Sequence, residues 1–402
     1  MRSTAFRPRG MRADCSMGSR CMKYMGSKRV MLQNGFGSAI LEASKKSKRV
    51  VDLFSGSGAV AWYAAERVDQ PVLAVDLQAY SAILANAVIG RTEALDLGEL
   101  ERQWLAPALR SARRSKQWKA SGSYRGVSRS EVRRARDLCR DGSGGVIWSA
   151  YGGHYFSPRQ ALLFDWALKR LPLDESLRSA GKAALIAAAS HCAAAPGHTA
   201  QPFQPTKTAL PYIGTAWRKD PLDYARNWLL SISGRFAKTK GTARVADALK
   251  EAVNLDAGDL VVIDPPYSAV QYSRFYHVLE VIARWDSDLE LGVAGVGRYP
   301  PSEMRPRSDF SLKTRSSQAI EELLDELGDV GCRVLITFPD AVCSNGLSGA
   351  AIADMARSRF KVKTKTVEGR FSTLGGNNSV RAARHSSAEM ILSLSPRRVG
   401  RD

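Results

Sequence analysis

The stretch Leu260-Val261-Val262-Ile263-Asp264-Pro265-Pro266-Tyr267 decides how the rest of the chain is interpreted. Its four apolar residues are typical of a parallel strand that is buried on both faces of a sheet. Two successive prolines fix φ and remove two backbone donors, so the strand cannot continue past Asp264. We therefore predict a rigid turn at the carboxyl end of a buried strand.

This turn presents the Asp264 carboxylate, a free carbonyl on Asp264 or Pro265, and the aromatic face of Tyr267. The carboxylate and the carbonyl can accept the two hydrogens of an exocyclic amine, while the flat ring that carries the amine stacks on Tyr267. The alternative is a strand that simply ends in a proline-rich turn. The other motifs have to decide between these two interpretations.

Length and composition bound the class of protein. A chain of 402 residues is longer than one ordinary domain, so we expect one large domain with an insertion, or two domains. No apolar run approaches the roughly 18 residues of a membrane span, and the amino terminus lacks the apolar core of a secretion signal. Six cysteines without a CxxC pair and five dispersed histidines support neither a disulfide framework nor a metal site. We therefore expect a protein of the reducing cytoplasm.

The formal net charge of +20 favours a polyanionic partner, with nucleic acid ahead of an anionic membrane surface. Between Glu101 and Arg140, twelve Lys and Arg residues stand against three Asp and Glu. Trp104, Trp118 and Tyr124 are interleaved with these cations. Phosphate contact combined with base stacking would use such a mixture, whereas the alternative is a basic surface without a dedicated partner.

The order of predicted elements indicates an α/β fold. A strand, a glycine turn, a helix and a second strand ending in an acid are typical of the opening of a doubly wound, mostly parallel sheet. The predicted strands are 50–54, 72–76, 244–247, 260–263, 333–338, 360–367 and 388–394. The predicted helices include 59–66, 79–88, 157–171, 176–195 and 276–285.

The same pattern divides the chain. Residues 1–21 are basic and patternless, and we predict a disordered tail there. The α/β pattern of 22–95 stops and returns at 236–402, so 96–235 is predicted to be an inserted subdomain. A second long loop at 286–315, rich in Pro, Arg and Gly, should also face the ligand side.

The glycine turn after the first strand, Ser55-Gly56-Ser57-Gly58, allows a ligand to approach the backbone closely. Asp52 precedes this turn and would repel the pyrophosphate of an oxidoreductase cofactor, but it suits the ammonium group of an amino acid. Asp76, at the end of the next strand, can hydrogen-bond a ribose diol. A plain tight turn and a solvated carboxylate are the alternatives.

Two further groups flank these motifs. Asp247 ends a short strand and either contacts the amino group of an adenine or caps a helix that begins at Ala248. Lys23, Tyr24 and Lys28 precede the first helix. A flat aromatic residue with two cations suits an adenosine or a carboxylate, and the alternative is surface charge in a basic tail.

In this order, the motifs resemble those of the Dam-type, alpha-group DNA adenine-N6 methyltransferases. That family runs from Lys-Tyr/Trp-x-Gly-x-Lys through Asp-x-Phe-x-Gly-x-Gly and a strand-end acid to a target-recognition insertion, and then to a further acid and Asp-Pro-Pro-Tyr. The corresponding parts of this chain are 23–28, 52–58, Asp76, 96–235, Asp247 and 264–267. The resemblance covers residues 22–90 and 240–395.

The resemblance implies a Rossmann-like class I methyltransferase fold that uses S-adenosyl-L-methionine. It implies that 22–95 and 236–402 form the catalytic domain and that 96–235 recognises the target. The residues implied in cofactor binding are Tyr24, Lys28, Asp52, Phe54, Gly56, Ser57, Gly58, Asp76, Leu77, Asp247 and Asp264. Those implied in catalysis, where they would hold the target amine and stack on its base, are Asp264, Pro265, Pro266 and Tyr267.

The implied function is methylation of the exocyclic N6 of adenine in a specific double-stranded DNA sequence, with base flipping. Cytosine-N4 methylation, RNA adenine methylation and a catalytically silent nucleic-acid-binding protein are the alternatives. The implied setting is the bacterial or phage cytoplasm, where a cognate restriction endonuclease is a possible second partner. Four residues that follow the turn either wall the base pocket or pack internally, namely Tyr272, Phe275, Tyr276 and His277.

Overall fold

A computed structural model describes residues 28–124, 126–285, 291–370 and 386–397. The predicted tail at 1–21 and the predicted site residue Tyr24 lie outside these described residues. None of the helices in the four ranges is long and apolar enough to cross a membrane.

Seven strands form one sheet in the described part of the chain. They are β1 (Arg49–Asp52), β2 (Val72–Asp76), β3 (Thr242–Val245), β4 (Asp259–Ile263), β5 (Arg333–Pro339), β6 (Phe360–Arg370) and β7 (Ser386–Pro396). Their spatial order is β3-β2-β1-β4-β5-β7-β6. The first five strands pair in parallel, and β7 lies antiparallel between β5 and β6. The predicted mostly parallel sheet is confirmed.

Seventeen α-helices accompany the sheet in these ranges. They are α1 (Arg29–Met31), α2 (Gly37–Ser44), α3 (Ala59–Ala65), α4 (Ala79–Ile89), α5 (Leu97–Leu100), α6 (Ala106–Arg114), α7 (Lys116–Ala120), α8 (Arg129–Cys139), α9 (Val146–Tyr151), α10 (Pro158–Lys169), α11 (Glu175–Cys192), α12 (Leu210–Trp217), α13 (Pro221–Ile232), α14 (Ala248–Ala252), α15 (Tyr272–Ala283), α16 (Ser316–Val330) and α17 (Gly349–Ala356). The predicted strands and helices are all found, with ends that differ by at most four residues.

Helices cover both faces of the sheet because alternate strand residues point to opposite sides. Val50 and Val262 pack with α3, α4 and α15 on one face. Val51 and Val261 pack with α14, α16 and α17 on the other face. Burying each of these side chains contributes about 1.5–3 kcal/mol relative to leaving it exposed, which explains the almost unbroken apolar sequence of β4.

The parallel strands bring their carboxyl ends to one edge of the sheet. The chain moves outward from β1 to β2 and β3, and then returns to place β4 beside β1 on its other side. The strand order therefore reverses between β1 and β4, which is where ligands bind in open α/β sheets. Asp264 follows β4 at this point, and the glycine turn follows β1.

The predicted insertion is helical and packs on the sheet domain. In residues 96–124 and 126–235 the structure forms α5 to α13 and no strand. The alanine-rich α11 packs against α4 and α15, so many apolar residues of the insertion belong to the same core as one face of the sheet, while a smaller cluster around Val132, Ile213 and Trp217 lies within the insertion itself. Small side chains on α11 allow this close approach.

The prediction that Trp104 stacks on bases is wrong. Its side chain is fully buried, and its Nε1 donates a hydrogen bond of 2.8 Å to the carbonyl of Ala167 in α10. The half-buried Trp118 lies under the Arg159 guanidinium at 4.4 Å, and Tyr124 packs edge-on against another tryptophan. These aromatic residues contribute to the core of the insertion rather than to a stacking surface.

Replacing Trp104 should therefore affect stability. We expect Trp104→Ala to lower the free energy of unfolding by about 3–5 kcal/mol, because it leaves a cavity and an unpaired carbonyl. Denaturant unfolding measures this change. Trp118→Ala is the matched control and should cost clearly less. Unchanged stability in Trp104→Ala, together with weaker DNA binding, would restore the stacking role.

Candidate functional site

A cavity that is partly open to solvent lies at the carboxyl ends of β1, β2 and β4. Most of the described residues that the motifs single out line this cavity. They are Lys28, Phe54, Gly56, Ser57, Asp76, Leu77, Asp247, Asp264, Pro265, Pro266 and Tyr267.

Two of the predicted residues, Gly58 and Asp52, lie behind the cavity wall. Gly58 has a φ of 76° at the start of α3, and a Cβ there would come within 3.1 Å of the Ala85 backbone. Glycine at position 58 is thus required by backbone conformation and by packing of α3 on α4. Its implied contact with a cofactor stays a prediction.

Asp52 is a buried carboxyl group. It is 1% exposed, and neither of its oxygens makes a hydrogen bond of normal geometry within the described ranges. Burial, reinforced by the charge of Asp264, raises the pKa of Asp52 to about 8, although the backbone amides of Phe54 and Ala61 oppose this change. Asp52 is therefore mostly protonated at neutral pH, which differs from the charged acid on which the ammonium prediction was based.

Asp76 lines the cavity and also holds the glycine turn in place. Its Oδ2 accepts a hydrogen bond of 2.8 Å from the Gly56 amide, and its Oδ1 accepts one of 2.9 Å from the Gln78 amide. Burial raises the pKa of Asp76 to about 6, and the two amides oppose the rise. A carboxylate oxygen has a second acceptor position, so both oxygens can still accept a hydroxyl group.

Asp247 caps α14. Its Oδ1 accepts a hydrogen bond of 3.0 Å from the Leu249 amide, so the helix-cap interpretation is confirmed. Because Asp247 also lines the cavity, a second contact with an adenine is compatible with the cap and stays a prediction.

The turn after β4 is held by partners that lie far away in the sequence. Asp264 Oδ1 accepts hydrogen bonds of 3.0 Å from both Lys28 Nζ and Thr337 Oγ1 of β5. Lys28 Nζ also donates to Glu389 of β7 in a short contact. Thr337 and Glu389 stand in no recognisable sequence motif, so their part in this site is visible only in the structure.

The positive charge of Lys28 attracts the carboxylates of both Asp264 and Glu389. Burial would lower the pKa of Lys28, but Asp264 and Glu389 outweigh it and raise the pKa to about 12. Burial raises the pKa of Asp264, and the charge of Lys28 opposes that rise. An ammonium group in contact with Asp264 therefore favours the ionised carboxylate in a buried place.

A second set of contacts fixes the rest of the turn. Asn345 Nδ2 donates to the carbonyls of Pro266 and Phe310, at 2.8 and 3.1 Å. Gln271 and Ser308 exchange two hydrogen bonds of 2.8 Å. These bonds hold the segment 306–311 over one side of the cavity, so this part of the second long loop lines the cavity, and its contact with a ligand stays a prediction.

The aromatic residues that follow the turn divide into two groups. Tyr272 lines the cavity together with Tyr267, whose ring centroid lies 5.8 Å from Lys28 Nζ. Tyr276 and His277 are buried, and burial lowers the pKa of His277 to about 4. We conclude that His277 is a packing residue, while Tyr272 is available to contact a ligand.

The cavity is acidic although the chain is strongly basic. Its described charged lining residues are Lys28, Asp76, Asp247 and Asp264. Within the same ranges, no group of three or more His, Cys, Asp or Glu side chains is placed to hold a metal ion. An acidic cavity suits a small cationic ligand and disfavours a phosphate-rich one.

Comparison with known proteins shows that part of the chain is similar to one protein family. Residues 24–108 match the family model of the D12 class N6 adenine-specific DNA methyltransferases. The chain is 35% identical over 83 residues to the modification methylase LlaI of Lactococcus lactis subsp. lactis, a match that covers 20% of this chain and 12% of that protein. It is 39% identical over 64 residues to the type II methyltransferase M.NlaIII of Neisseria lactamica, covering 16% of this chain and 19% of that protein.

A third relative is the type II methyltransferase M.FokI of Planomicrobium okeanokoites, which is 31% identical over 110 residues, or 27% of this chain and 16% of that protein. The chain thus spans between 12% and 19% of the length of these curated relatives. The matches confirm the resemblance to the Dam-type, D12 class family and show distant homology to type II methyltransferases.

The buried carboxyl group of Asp52 predicts a pH-dependent stability. Between its ordinary pKa near 4 in the unfolded chain and about 8 in the folded protein, the folded state binds a proton that the unfolded state lacks. Stability should therefore fall as the pH rises through this window. Asp52→Asn removes the effect, so its stability advantage over the wild type should grow with pH, to roughly a few kcal/mol at pH 8.

Denaturant unfolding at several pH values between 5 and 8 measures this difference. The exposed Asp256→Asn is the control and should follow the wild-type curve. Parallel stability curves for Asp52→Asn and the wild type would contradict the assignment.

Proposed function

We propose that this protein transfers the methyl group of S-adenosyl-L-methionine to the exocyclic N6 of adenine in double-stranded DNA. The observation that carries the proposal is the acidic cavity that ends at the Asp264–Tyr267 turn, in a chain of net charge +20. The cavity suits a cationic small molecule, while the overall charge suits a polyanion. The family match over residues 24–108 agrees with both.

The fold supports the same proposal. An antiparallel β7 between β5 and β6, beside five parallel strands, is the arrangement expected of a Rossmann-like class I methyltransferase. We assign 22–95 and 236–402 to the catalytic domain and the helical segment 96–235 to target recognition. Outside the described residues, Tyr24 keeps its implied role at the cofactor.

The cavity residues fit S-adenosyl-L-methionine. When bound, this cofactor supplies an electrophilic methyl group on a positively charged sulfonium. Asp76 would accept the ribose hydroxyls, and Asp247 would lie near the adenine. The residues that would surround the methionine part are Phe54, Gly56, Ser57 and, behind the wall, Asp52 and Gly58, with Leu77 beside the ribose.

The geometry of the turn supports a specific set of contacts to the target amine. Lys28 and Thr337 both bond to Oδ1 of Asp264, so its Oδ2 is not used by these two donors. The Pro266 carbonyl is engaged by Asn345. Asp264 Oδ2 and the Pro265 carbonyl would then accept the two N6 hydrogens, and Tyr267 would stack on the base.

Orientation supplies most of the catalysis in this scheme. The N6 lone pair is delocalised into the ring, and two acceptors on its hydrogens favour a pyramidal nitrogen whose lone pair faces the methyl group. Holding nitrogen and methyl in line removes much of the entropic barrier. An ordinary Asp is too weak a base to deprotonate the neutral amine, so the proton leaves with or after methyl transfer.

The helical insertion would bind the DNA backbone. Flipping the target base costs a few kcal/mol, which phosphate contacts offset. No Asp or Glu occurs between residues 102 and 130. The exposed cations of α6, α7 and α8 include Arg110, Arg113, Arg114, Lys116, Lys119, Arg129, Arg133 and Arg134.

Replacing the carboxylate tests the chemistry. We expect Asp264→Ala to lower the methyl-transfer rate by about a thousandfold or more, because the amine loses its main acceptor. DNA affinity should stay close to that of the wild type, since phosphate contacts come from the insertion. Single-turnover methylation and DNA binding measure the two quantities. Normal turnover in this variant would refute the mechanism.

Charge removal tests the DNA surface. The double variant Lys116→Gln/Lys119→Gln should weaken DNA binding and reduce the slope of log K against log salt by about 0.9 for each phosphate that the protein no longer neutralises. The matched control is Lys361→Gln/Lys363→Gln, which removes the same two charges from exposed positions on β6. Equal slopes for the two variants would exclude α7 from the DNA surface.

Sequencing of methylated bases in DNA exposed to the protein identifies the modified atom and the recognition sequence together. Modification of adenine N6 supports the proposal. Modification of cytosine N4 would overturn the choice of base, and an unmodified product from active, cofactor-binding protein would overturn methyl transfer to DNA.

A further inference from the structure

Glu389 is a buried carboxylate that the proposed methyl transfer does not use directly. It lies in β7 and is 3% exposed. In the sheet it stands opposite Pro339 of β5 on one side and Val367 of β6 on the other. Its carboxylate contacts Lys28 Nζ, so it reaches the ammonium group that also holds Asp264.

Lys28 therefore serves two carboxylates at once. The side chains of Lys28, Glu389 and Asp264 are 5%, 4% and 16% exposed, respectively. With all three groups ionised, the Lys28–Asp264–Glu389 cluster carries one net negative charge. Asp264 and Lys28 of this cluster line the cavity, and Glu389 adds its charge from behind them through its contact with Lys28.

An ion pair that merely anchors the amino-terminal segment to the sheet would need only one carboxylate. A second buried carboxylate on the same cation adds a desolvation cost. Burial raises the pKa of Glu389, as it does that of Asp264, and in both cases the charge of Lys28 opposes the rise and favours the ionised carboxylate. The excess charge therefore needs an explanation beyond anchoring.

The methyl donor and its product differ in charge. Methyl transfer forms the N6–CH3 bond and breaks the S–CH3 bond, so the positive sulfonium becomes a neutral thioether while N6 releases one proton. S-adenosyl-L-homocysteine thus has nearly the same shape as the donor without the positive charge. A cluster with excess negative charge attracts the donor more strongly than the product.

We propose that Glu389 is a positioning residue that acts through Lys28 and gives the cavity its preference for the cationic methyl donor over the neutral product. This inference rests on the proposed function. Glu389 holds the ammonium group between two carboxylates, so that Lys28 orients Asp264 without neutralising the whole cluster. Once the methyl group is transferred, the product carries no sulfonium charge, so its attraction to the cluster is weaker than that of the donor and its release is favoured.

The test compares the two ligands on one protein. Glu389→Gln keeps the size of the side chain and an acceptor for Lys28, but it removes one negative charge. Calorimetric titration should show that S-adenosyl-L-methionine binds about tenfold more weakly to this variant, whereas S-adenosyl-L-homocysteine binds nearly as before. An equal change for both ligands is what a merely structural role produces, and it would overturn the inference.

Two control variants isolate the charge. Glu389→Asp keeps it and should retain the wild-type ratio of affinities. Asp259→Asn removes a different buried carboxylate, which is 3% exposed and pairs with Arg49 at the opposite end of β4. The ratio should not move in this variant, and a ratio that falls as far as in Glu389→Gln would overturn the assignment to the cluster.

If Glu389→Gln does not fold, Glu389→Ser carries the test in the same assay, because it removes the same negative charge with a smaller polar side chain. A lower preference for the donor supports the inference, and an unchanged preference overturns it. Wild-type protein that binds neither ligand would refute the proposed function itself. Wild-type binding of both, with an unchanged ratio in the variants, would refute only the inference.

Discussion

The parallel pairing of β4 with β1 is the constraint on which the site depends. In this register Val50 stands opposite Leu260, and Asp52 stands opposite Val262. The turn at Asp264 therefore emerges beside the glycine turn that follows β1. Alternate residues of both strands belong to two different buried layers, so a slip by one residue would move each side chain of the slipped strand into the wrong layer and disrupt the packing on both faces. The hydrophobic pattern of two strands thus sets the distance between the two halves of the cavity.

Local features of the site were predictable from the sequence, and distant partners were not. The run 260–263, the turn at Asp264 and the cap at Asp247 depend on neighbouring residues, so their patterns are readable. Thr337 and Glu389 reach Lys28 or Asp264 only through the order of strands in the sheet. Trp104 was misassigned because a basic stretch says nothing about which face of a helix is buried. The apolar spacing of α16 predicts a helix that was overlooked, with Ile320, Leu323, Leu324 and Leu327 on one face.

The molecule combines two opposite electrostatic surfaces. The helical insertion exposes many cations, and its residues 102–130 contain no acid, whereas the charged residues that line the cavity are three aspartates and one lysine. Burial raises the pKa of two of these acids, Asp76 and Asp264, so the fold opposes the ionisation that a cationic ligand would favour. A ligand with positive charge would relieve this opposition and stabilise the folded protein. Cofactor affinity and stability are thereby linked through the same carboxyl groups.

Asn345 is a position at which deamidation would damage the site. It is followed by Gly346, and asparagine is among the residues that degrade most readily on heating. Here the side chain is fully buried, and its amide donates hydrogen bonds to the carbonyls of Pro266, in the turn after β4, and of Phe310, in the segment over the cavity. Deamidation would replace the donor with a carboxylate, which only accepts hydrogen bonds and would face two carbonyl oxygens. Deamidation of Asn345 in a stored or heated sample would thus remove two hydrogen bonds that hold the site together, and the burial of Asn345 protects them.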